Sequence, residues 1–78
     1  MEYAELKVQE TVLALLGVFE FDGGRAWKRY DFAVMEALHS QGLISDPHGR
    51  AESVRLTDEG MSRAKALAAE LFGTSSNH

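Results

Sequence analysis

The sequence contains no cysteine and a single proline among its 78 residues. Disulfide bonds are therefore excluded, and the cysteine and histidine clusters that hold structural zinc are missing. A domain of this length buries only about 60–65% of the surface that its unfolded chain exposes, so its core is small. Because neither disulfides nor a metal reinforce this core, we expect the chain to oligomerise.

The sequence also has fewer positive than negative residues. It contains 8 lysines and arginines against 12 aspartates and glutamates, which gives a net charge of −4. Proteins dedicated to nucleic acids usually present a basic surface. The composition therefore argues against such a protein, although a local basic patch would still permit one.

Long apolar runs are missing as well. The uncharged stretch from Thr11 to Phe19 is far too short to span a bilayer. Glu2 and Glu5 give the N-terminus an acidic character that differs from the basic start of a signal peptide. We expect a cytoplasmic protein without a membrane segment.

What is present is a hydrophobic fraction of 45%, which is enough for a packed domain. A first helix is predicted from about Tyr3 to Phe19. One helical stripe contains Val8, Val12, Leu15, Leu16 and Phe19. Leu6 and Leu13 add an adjoining apolar face. Since a helix in so small a domain has only one side toward the core, we expect the excess apolar surface to meet a second copy of the chain.

The middle of the chain predicts a sharp reversal followed by a second helix. Two adjacent glycines at 23 and 24, which follow Asp22, permit the reversal, and residues 25–30 are too few for a full helix. Asp31 is a suitable N-cap for a helix that runs to about Gln41, and Gly42 suits its left-handed end. The inward side chains of this helix are predicted to be Phe32, Val34, Met35 and Leu38.

The last third predicts a hairpin and a third helix. Strands are expected at 43–46 and 53–56, with turn residues at 47–49 between them. Thr57 is expected to cap the final helix, which Gly73 ends. The apolar face of that helix comprises Met61, Ala64, Leu67, Ala68 and Leu71. The whole pattern predicts an α+β, mostly helical domain over residues 3–72, with a two-stranded wing between the second and last helices and a flexible tail at 73–78.

Two segments resemble the wing region of winged-helix repressors. These families end the recognition helix with a leucine, three residues and glycine-leucine-isoleucine, as at 38–44 here, and start the next helix with leucine-threonine-acid-acid-glycine, as at 56–60. The resemblance implies a winged-helix-like fold. The short segment 25–30 then implies a truncated helix-turn-helix region.

The chain over about 3–72 also resembles a family of short, uncharacterised bacterial proteins, a domain of unknown function. The matching segments are Asp22–Lys28 (DGGRAWK), Leu38-His39, Gly42–Pro47 and Leu56-Thr57. This resemblance implies no activity that carries over to the present chain.

Cations and aromatic residues alternate at 25–30, and this segment has two interpretations. In one, Trp27 or Tyr30 stacks on the bases of a single strand while the cations contact phosphate. In the other, which we favour, Trp27 fills the small core and the cations face water. The nucleic-acid contacts under the first interpretation, with two arginines added from the wing, are Arg25, Lys28, Arg29, Arg50 and Arg55. The second helix argues against reading of duplex DNA, because it offers Asp31 and Glu36 but no lysine or arginine.

Metal and enzyme chemistry find little support in the sequence. His39, His48 and Asp46 stand on separate elements without paired spacing, so we predict no metal site and no cofactor. The chain offers no cysteine nucleophile and no glycine-rich phosphate loop. We also expect little room for a ligand pocket of about 300 Å³ or more. The sequence therefore predicts a protein that is not an enzyme.

The function that we predict is a non-catalytic protein-interaction module that forms a homodimer through its terminal helices. The predicted dimer contacts are Leu6, Leu13, Leu16, Ala68 and Leu71. An unidentified protein partner is a further expectation. The alternative hypothesis is a winged-helix DNA-binding transcriptional regulator, which would use the same dimer.

Overall fold

The computed structural model of the chain describes residues 3–73. Its elements, in order, are α1 (Glu5–Val18), β1 (Arg25–Trp27), α2 (Phe32–Ser40), β2 (Ser53–Arg55) and α3 (Asp58–Phe72). The predicted α+β, mostly helical fold with three helices and a two-stranded antiparallel sheet is confirmed. Apart from Gly73, the predicted tail lies outside the described residues.

Side-chain caps start α2 and α3 as the sequence predicted. The amide of Val34 donates to the carboxylate of Asp31 at 3.2 Å, and the amide of Gly60 donates to the hydroxyl of Thr57 at 2.9 Å. Each cap satisfies an amide that has no partner inside its helix. Local sequence alone therefore fixes where these two helices begin.

The end of α2 also follows the prediction. Gly42 adopts a φ of 77°, and the amide of Leu43 donates back to the carbonyl of Leu38 at 3.1 Å. The hydroxyl of Thr57 donates to the carbonyl of Gly42 at 2.7 Å. This hydrogen bond links the end of α2 to the start of α3.

The sheet differs from the predicted hairpin in the position of its first strand. β2 pairs with β1, and the register places Arg25 opposite Arg55 and Ala26 opposite Val54. Residues 25–27 therefore form a strand where the sequence analysis placed a truncated helix. The antiparallel ladder offers their backbone groups partners that an isolated helical turn would lack.

The predicted pairing of 43–46 with 53–56 is present in a reduced form. Ile44 forms a single antiparallel bridge with Leu56, and the amide of Ser45 donates to the carbonyl of Arg55 at 2.8 Å. Pro47 follows closely and has no amide hydrogen to donate, so it does not lengthen this ladder.

A compact turn joins α1 to β1. Phe21 and Arg25 exchange two backbone hydrogen bonds of 2.7 and 2.8 Å. The three residues between them have positive φ angles, including 49° at Asp22 and 117° at Gly24. The carboxylate of Glu20 accepts from the amide of Gly24 at 2.8 Å. The two glycines that predicted a reversal thus supply the left-handed backbone that it needs.

One apolar core joins all the elements. Its buried members are Leu13, Leu16, Ala26, Met35, Leu38, Leu43, Ile44, Val54, Leu56 and Ala64. Met35 and Leu38 confirm the predicted inward face of α2, but Phe32 is 50% exposed. Phe32 is the first residue of α2, and its ring packs edge-on against His48 at a centroid distance of 5.1 Å instead of entering the core.

The most extensive contact between elements is that of α1 with α3. A methyl group on Gly17 would lie 2.7 Å from the Cβ of Ala64, so the helices approach closely at this point. Met61 lies near Gly24, beyond the end of α1, and Ala64 lies against Gly17. α3 therefore runs back along α1 from its C-terminal end.

Among residues 3–73, none of the helices combines the length and the apolar character that a membrane crossing requires.

Gly60→Ala tests the junction of α2 and α3. A methyl group on Gly60 would overlap the carbonyl oxygen of Leu43. We expect the substitution to lower the free energy of unfolding by about 2–3 kcal/mol, in the range of an overpacked core site. The exposed Ser62, two residues later in α3, provides the control, and Ser62→Ala should change stability by about 0.5 kcal/mol or less. Urea unfolding followed by circular dichroism measures both; equal stability of the two variants would contradict the close contact.

Candidate functional site

α1 has two apolar faces, and the rest of the chain covers only one of them. Leu13 and Leu16 are each 1% exposed, so their face is buried. We call the other face the apolar stripe; its members are Val8, Val12, Leu15 and Phe19. Val8 is 38% and Phe19 63% exposed, while the two residues between them are half-buried. The predicted stripe also included Leu16, which is buried in the core instead. Of the other four members, Val8 and Phe19 are exposed at the surface, and Val12 packs partly against the core.

This arrangement corrects two of the predicted dimer contacts. Leu13 and Leu16 belong to the core of the chain itself and are not accessible to a second copy. The reason is the close approach at Gly17, because Leu13 lies one turn before it on the same face of α1. Of the other predicted contacts, Leu6 is 61% and Leu71 48% exposed, and Ala68 is half-buried.

A groove of about 390 Å³ opens at the Phe19 end of the apolar stripe. It lies between the C-terminal half of α1 and the strand β1 with the residues after it. Its lining consists of Leu15, Leu16, Phe19, Ala26, Trp27, Arg29 and Tyr30. The prediction that the chain has little room for a pocket of this size is therefore wrong. The groove forms because the small side chain of Ala26, and not the large one of Trp27, faces the core from β1.

Trp27 lies on the surface, so the interpretation that placed it in the core is wrong. It is 47% exposed. Its ring stacks at a tilt on Phe21 with a centroid distance of 4.8 Å, and the guanidinium of Arg29 lies 5.2 Å from the ring centroid. Strand alternation explains the outcome, since Ala26 occupies the inward position and its neighbours point outward.

The other end of the apolar stripe carries negative charge. A hollow of about 550 Å³ lies there, lined by Tyr3, Glu5, Val8, Asp31 and Val34. A smaller hollow of about 330 Å³ lies on the other flank of α1, and Lys7 is its charged member. The two carboxylates at this end contrast with Arg29 at the Phe19 end. The hollow on this flank of the apolar stripe is therefore lined by two carboxylates, and the groove at the Phe19 end is lined by one guanidinium.

Two of the five predicted nucleic-acid contacts face each other across the sheet. Arg25 and Arg55 are directly opposite in the register of β1 and β2. Arg25 donates to the hydroxyl of Ser53 at 2.8 Å and lies 3.8 Å from the carboxylate of Asp22. Arg55 donates to the carbonyl of Gly23 at 3.2 Å. Intramolecular partners thus hold both guanidinium groups.

The other three cations do not join them in one open patch. The ammonium of Lys28 donates to the carbonyls of Pro47 and Gly49 at 2.6 and 3.0 Å. Arg29 covers Trp27 and lies 3.9 Å from a carboxylate oxygen of Glu52. Arg50 is exposed in the loop that leads to β2.

His48 connects the turn at 46–49 to α2. Its Nδ1 lies 2.5 Å from the carboxylate of Asp46, and its Nε2 lies 3.1 Å from that of Glu36. The hydrogen bond to Asp46 is the main reason that the pKa of His48 lies above its ordinary value. The backbone amide and ring of His48 hold the pKa of Asp46 below its ordinary value. Glu36, which the sequence analysis weighed as a DNA-facing carboxylate, is a partner of this turn.

The histidines considered as metal ligands face different partners. The Nδ1 of His39 lies 3.1 Å from the carbonyl of Ile44, while His48 contacts Asp46 and Glu36. Across the part of the chain that the structure describes, no group of three or more histidine, aspartate or glutamate side chains is arranged to hold a metal ion.

Sequence reasoning did not assign the outward residues of the sheet to the surface around Trp27. Phe21 and Arg29 contact the Trp27 ring, and Ala26 marks the inward position between larger outward neighbours. The alternation of a large, a small and a large side chain at 25–27 is the signal that identifies this strand.

Comparisons with known proteins confirm the resemblance to a family of short uncharacterised proteins. Residues 4–74 match a family described as a domain of unknown function (DUF6429). An uncharacterised protein of Sinorhizobium fredii, y4hR, is 43% identical over 72 residues, which make up 92% of this chain and 97% of that protein. No solved structure matches the chain significantly.

The contacts of His48 predict how the turn responds to pH. A raised histidine pKa means that the pairing stabilises the fold below about pH 6.5 and fades as the pH rises through the folded-state pKa. The lowered pKa of Asp46 means that its contribution is present above about pH 4 and is lost as the pH falls through the folded-state pKa. The turn is therefore held most firmly between about pH 4 and 6.5.

An NMR titration of the His48 ring tests this arrangement. We expect Asp46→Asn to lower the pKa of His48 more than Glu36→Gln does, because the hydrogen bond to Asp46 is the larger cause. Glu59→Gln, at an exposed position in α3, should leave the titration unchanged. An unaltered His48 pKa in Asp46→Asn would show that the two side chains are not paired.

Proposed function

We propose that this chain, which belongs to the DUF6429 family of domains of unknown function, is a non-catalytic protein-interaction module that homodimerises through the apolar stripe of α1. We place this module in the cytoplasm, in keeping with a sequence that has no cysteine. An unidentified protein partner would bind on the dimer in this proposal.

The observation that supports the proposal is the outward position of the apolar stripe. A surface helix normally turns its most regular apolar face toward the core. Here Val8 and Phe19 lie 38% and 63% exposed at the two ends of a continuous apolar row. Contiguous exposed apolar surface of this kind marks interaction sites in proteins of this size.

Exposed aromatic residues beside the stripe add to this support. Trp27 is 47% and Tyr3 76% exposed, and they lie at opposite ends of α1 beside the groove and the acidic hollow. Tryptophan, tyrosine and arginine are the residues that most often dominate binding energy at protein interfaces. The groove combines Trp27 and Tyr30 with Arg29, so it has the composition of such an anchor site.

Phe19→Asp tests the role of the apolar stripe. Removing an aromatic anchor from an interface costs about 2 kcal/mol or more, which raises Kd roughly thirtyfold. We therefore expect the variant to sediment as a monomer at concentrations where the wild type is a dimer. The matched control is Val18→Asp, since Val18 immediately precedes Phe19 at the end of α1 and is 48% exposed but lies off the stripe. Circular dichroism is the measurement that checks whether both variants remain folded.

Sedimentation velocity over a concentration series gives the decisive comparison. A wild-type chain that stays monomeric and folded at the highest concentration would contradict the homodimer. If Val18→Asp dissociates the dimer as strongly as Phe19→Asp does, the interface lies elsewhere on α1.

The alternative function is a winged-helix DNA-binding regulator, and one observation favours it. Arg25 and Arg55 face each other across the strands on the same outer side of the sheet as Trp27. An outward row of cations beside an aromatic ring is suited to phosphate and base contacts. Against this function stand the intramolecular partners of the cations on this side of the sheet. Asp22 lies beside Arg25, the carbonyl of Gly23 accepts from Arg55, and Glu52 lies beside Arg29.

Fluorescence anisotropy with a labelled duplex of mixed sequence separates the two functions. Binding to phosphates weakens steeply between about 50 and 200 mM salt. We expect no such salt-dependent binding by the wild-type chain. Binding that is lost both in high salt and in the double variant Arg25→Gln, Arg55→Gln would instead establish the regulator.

A further inference from the structure

The apolar stripe has the same spacing in both directions along α1. From Val8 the intervals to Val12, Leu15 and Phe19 are four, three and four residues. Since each helical residue turns by about 100°, the four side chains fall within a sector of about 60°. A second copy of α1 laid antiparallel on this stripe places Val8 opposite Phe19, and Val12 opposite Leu15. The stripe is thus complementary to itself under a two-fold rotation.

Charge favours this antiparallel arrangement over a parallel one. Glu5 and Asp31 line the hollow at the Tyr3 end, and Arg29 lines the groove at the Phe19 end. An antiparallel copy brings the acidic end of one chain to the basic end of the other, and it does so twice. A parallel copy sets acid against acid, and like charges that face each other across an interface weaken it.

The groove supplies the space that the antiparallel copy needs. It begins at Leu15 and Phe19 and continues to Trp27 and Arg29, so it extends the stripe beyond the last turn of α1. With Val8 of the second copy placed over Phe19, the first turn of its α1 extends past Phe19 toward the groove, and Tyr3 lies two residues before that turn. Tyr3 is 76% exposed and has an apolar ring with a polar end.

We propose that two copies of the chain pack α1 antiparallel along the apolar stripe, and that each fills the other's groove with residues 3–8, which are the first turn of α1 and the two residues before it. This inference rests on the proposed homodimer and adds its register and the occupant of the groove. Glu5 of the second copy then faces Arg29, and Trp27 is shielded from water by the second chain.

Cysteine cross-linking tests the register directly, because the chain has no cysteine of its own. Val8→Cys and Phe19→Cys are prepared separately, oxidised alone and as a mixture, and compared on a non-reducing gel with mass spectrometry. In the antiparallel register the same residue in the two copies is separated by about 16 Å along the helix, which is too far for a disulfide. We expect a cross-linked dimer from the mixture and none from either variant alone.

The outcomes separate the register from the homodimer. Cross-linking of each variant with itself would establish a parallel pair and overturn the inference. A wild-type dimer in sedimentation without a mixed cross-link would overturn the register and leave the homodimer in place. A monomeric wild type would overturn both. A second pair of variants, Val12→Cys and Leu15→Cys, leaves Phe19 in place. In the proposed register, a mixture of these two variants should also give more cross-linked dimer than either variant alone.

Discussion

The close approach of α1 to α3 at Gly17 and Ala64 decides which face of α1 the rest of the chain covers. Two helices pack this tightly only where small side chains meet. The side of α1 that carries Gly17 therefore packs against α3, and Leu13 and Leu16 are buried in the core. The apolar stripe lies on a different side of the helix and is left at the surface. The exposed surface is thus a consequence of how the core is packed.

The parts of the fold that local chemistry specifies were predictable from the sequence. The caps at Asp31 and Thr57 and the left-handed Gly42 depend on hydrogen bonds within a few residues, and the structure has all three. The outward orientation of the apolar stripe was not predictable in this way. Periodicity shows that side chains share a face, but the partner of that face depends on a glycine and an alanine 47 positions apart in the chain.

The site was only partly predictable, for a related reason. A single tryptophan in a small domain suggests a core residue, yet its place in a strand follows from pairing with a segment 26 residues away at Ser53. Once Ala26 pairs with Val54 on the buried side, Trp27 must point outward. Composition predicted the aromatic and basic character of this segment, and only the register determines that Trp27 and Arg29 border a groove.

Several charged residues that the sequence offered as candidate ligands or nucleic-acid contacts form hydrogen bonds between separate elements of the chain instead. Lys28 bonds the carbonyls of Pro47 and Gly49 and so ties the end of β1 to the turn, while His48 ties the same turn to Glu36 on α2. Pro47 is fully buried between these attachments. A cation that satisfies buried or turn carbonyls loses those bonds if it moves to a phosphate. Four of the five residues of the predicted nucleic-acid surface therefore have partners inside the chain, and Arg50 is exposed. In the apolar stripe, Val8 and Phe19 remain exposed, while Val12 packs partly against the core. This remaining exposure of apolar side chains is the reason that we propose binding to another protein chain rather than binding to DNA.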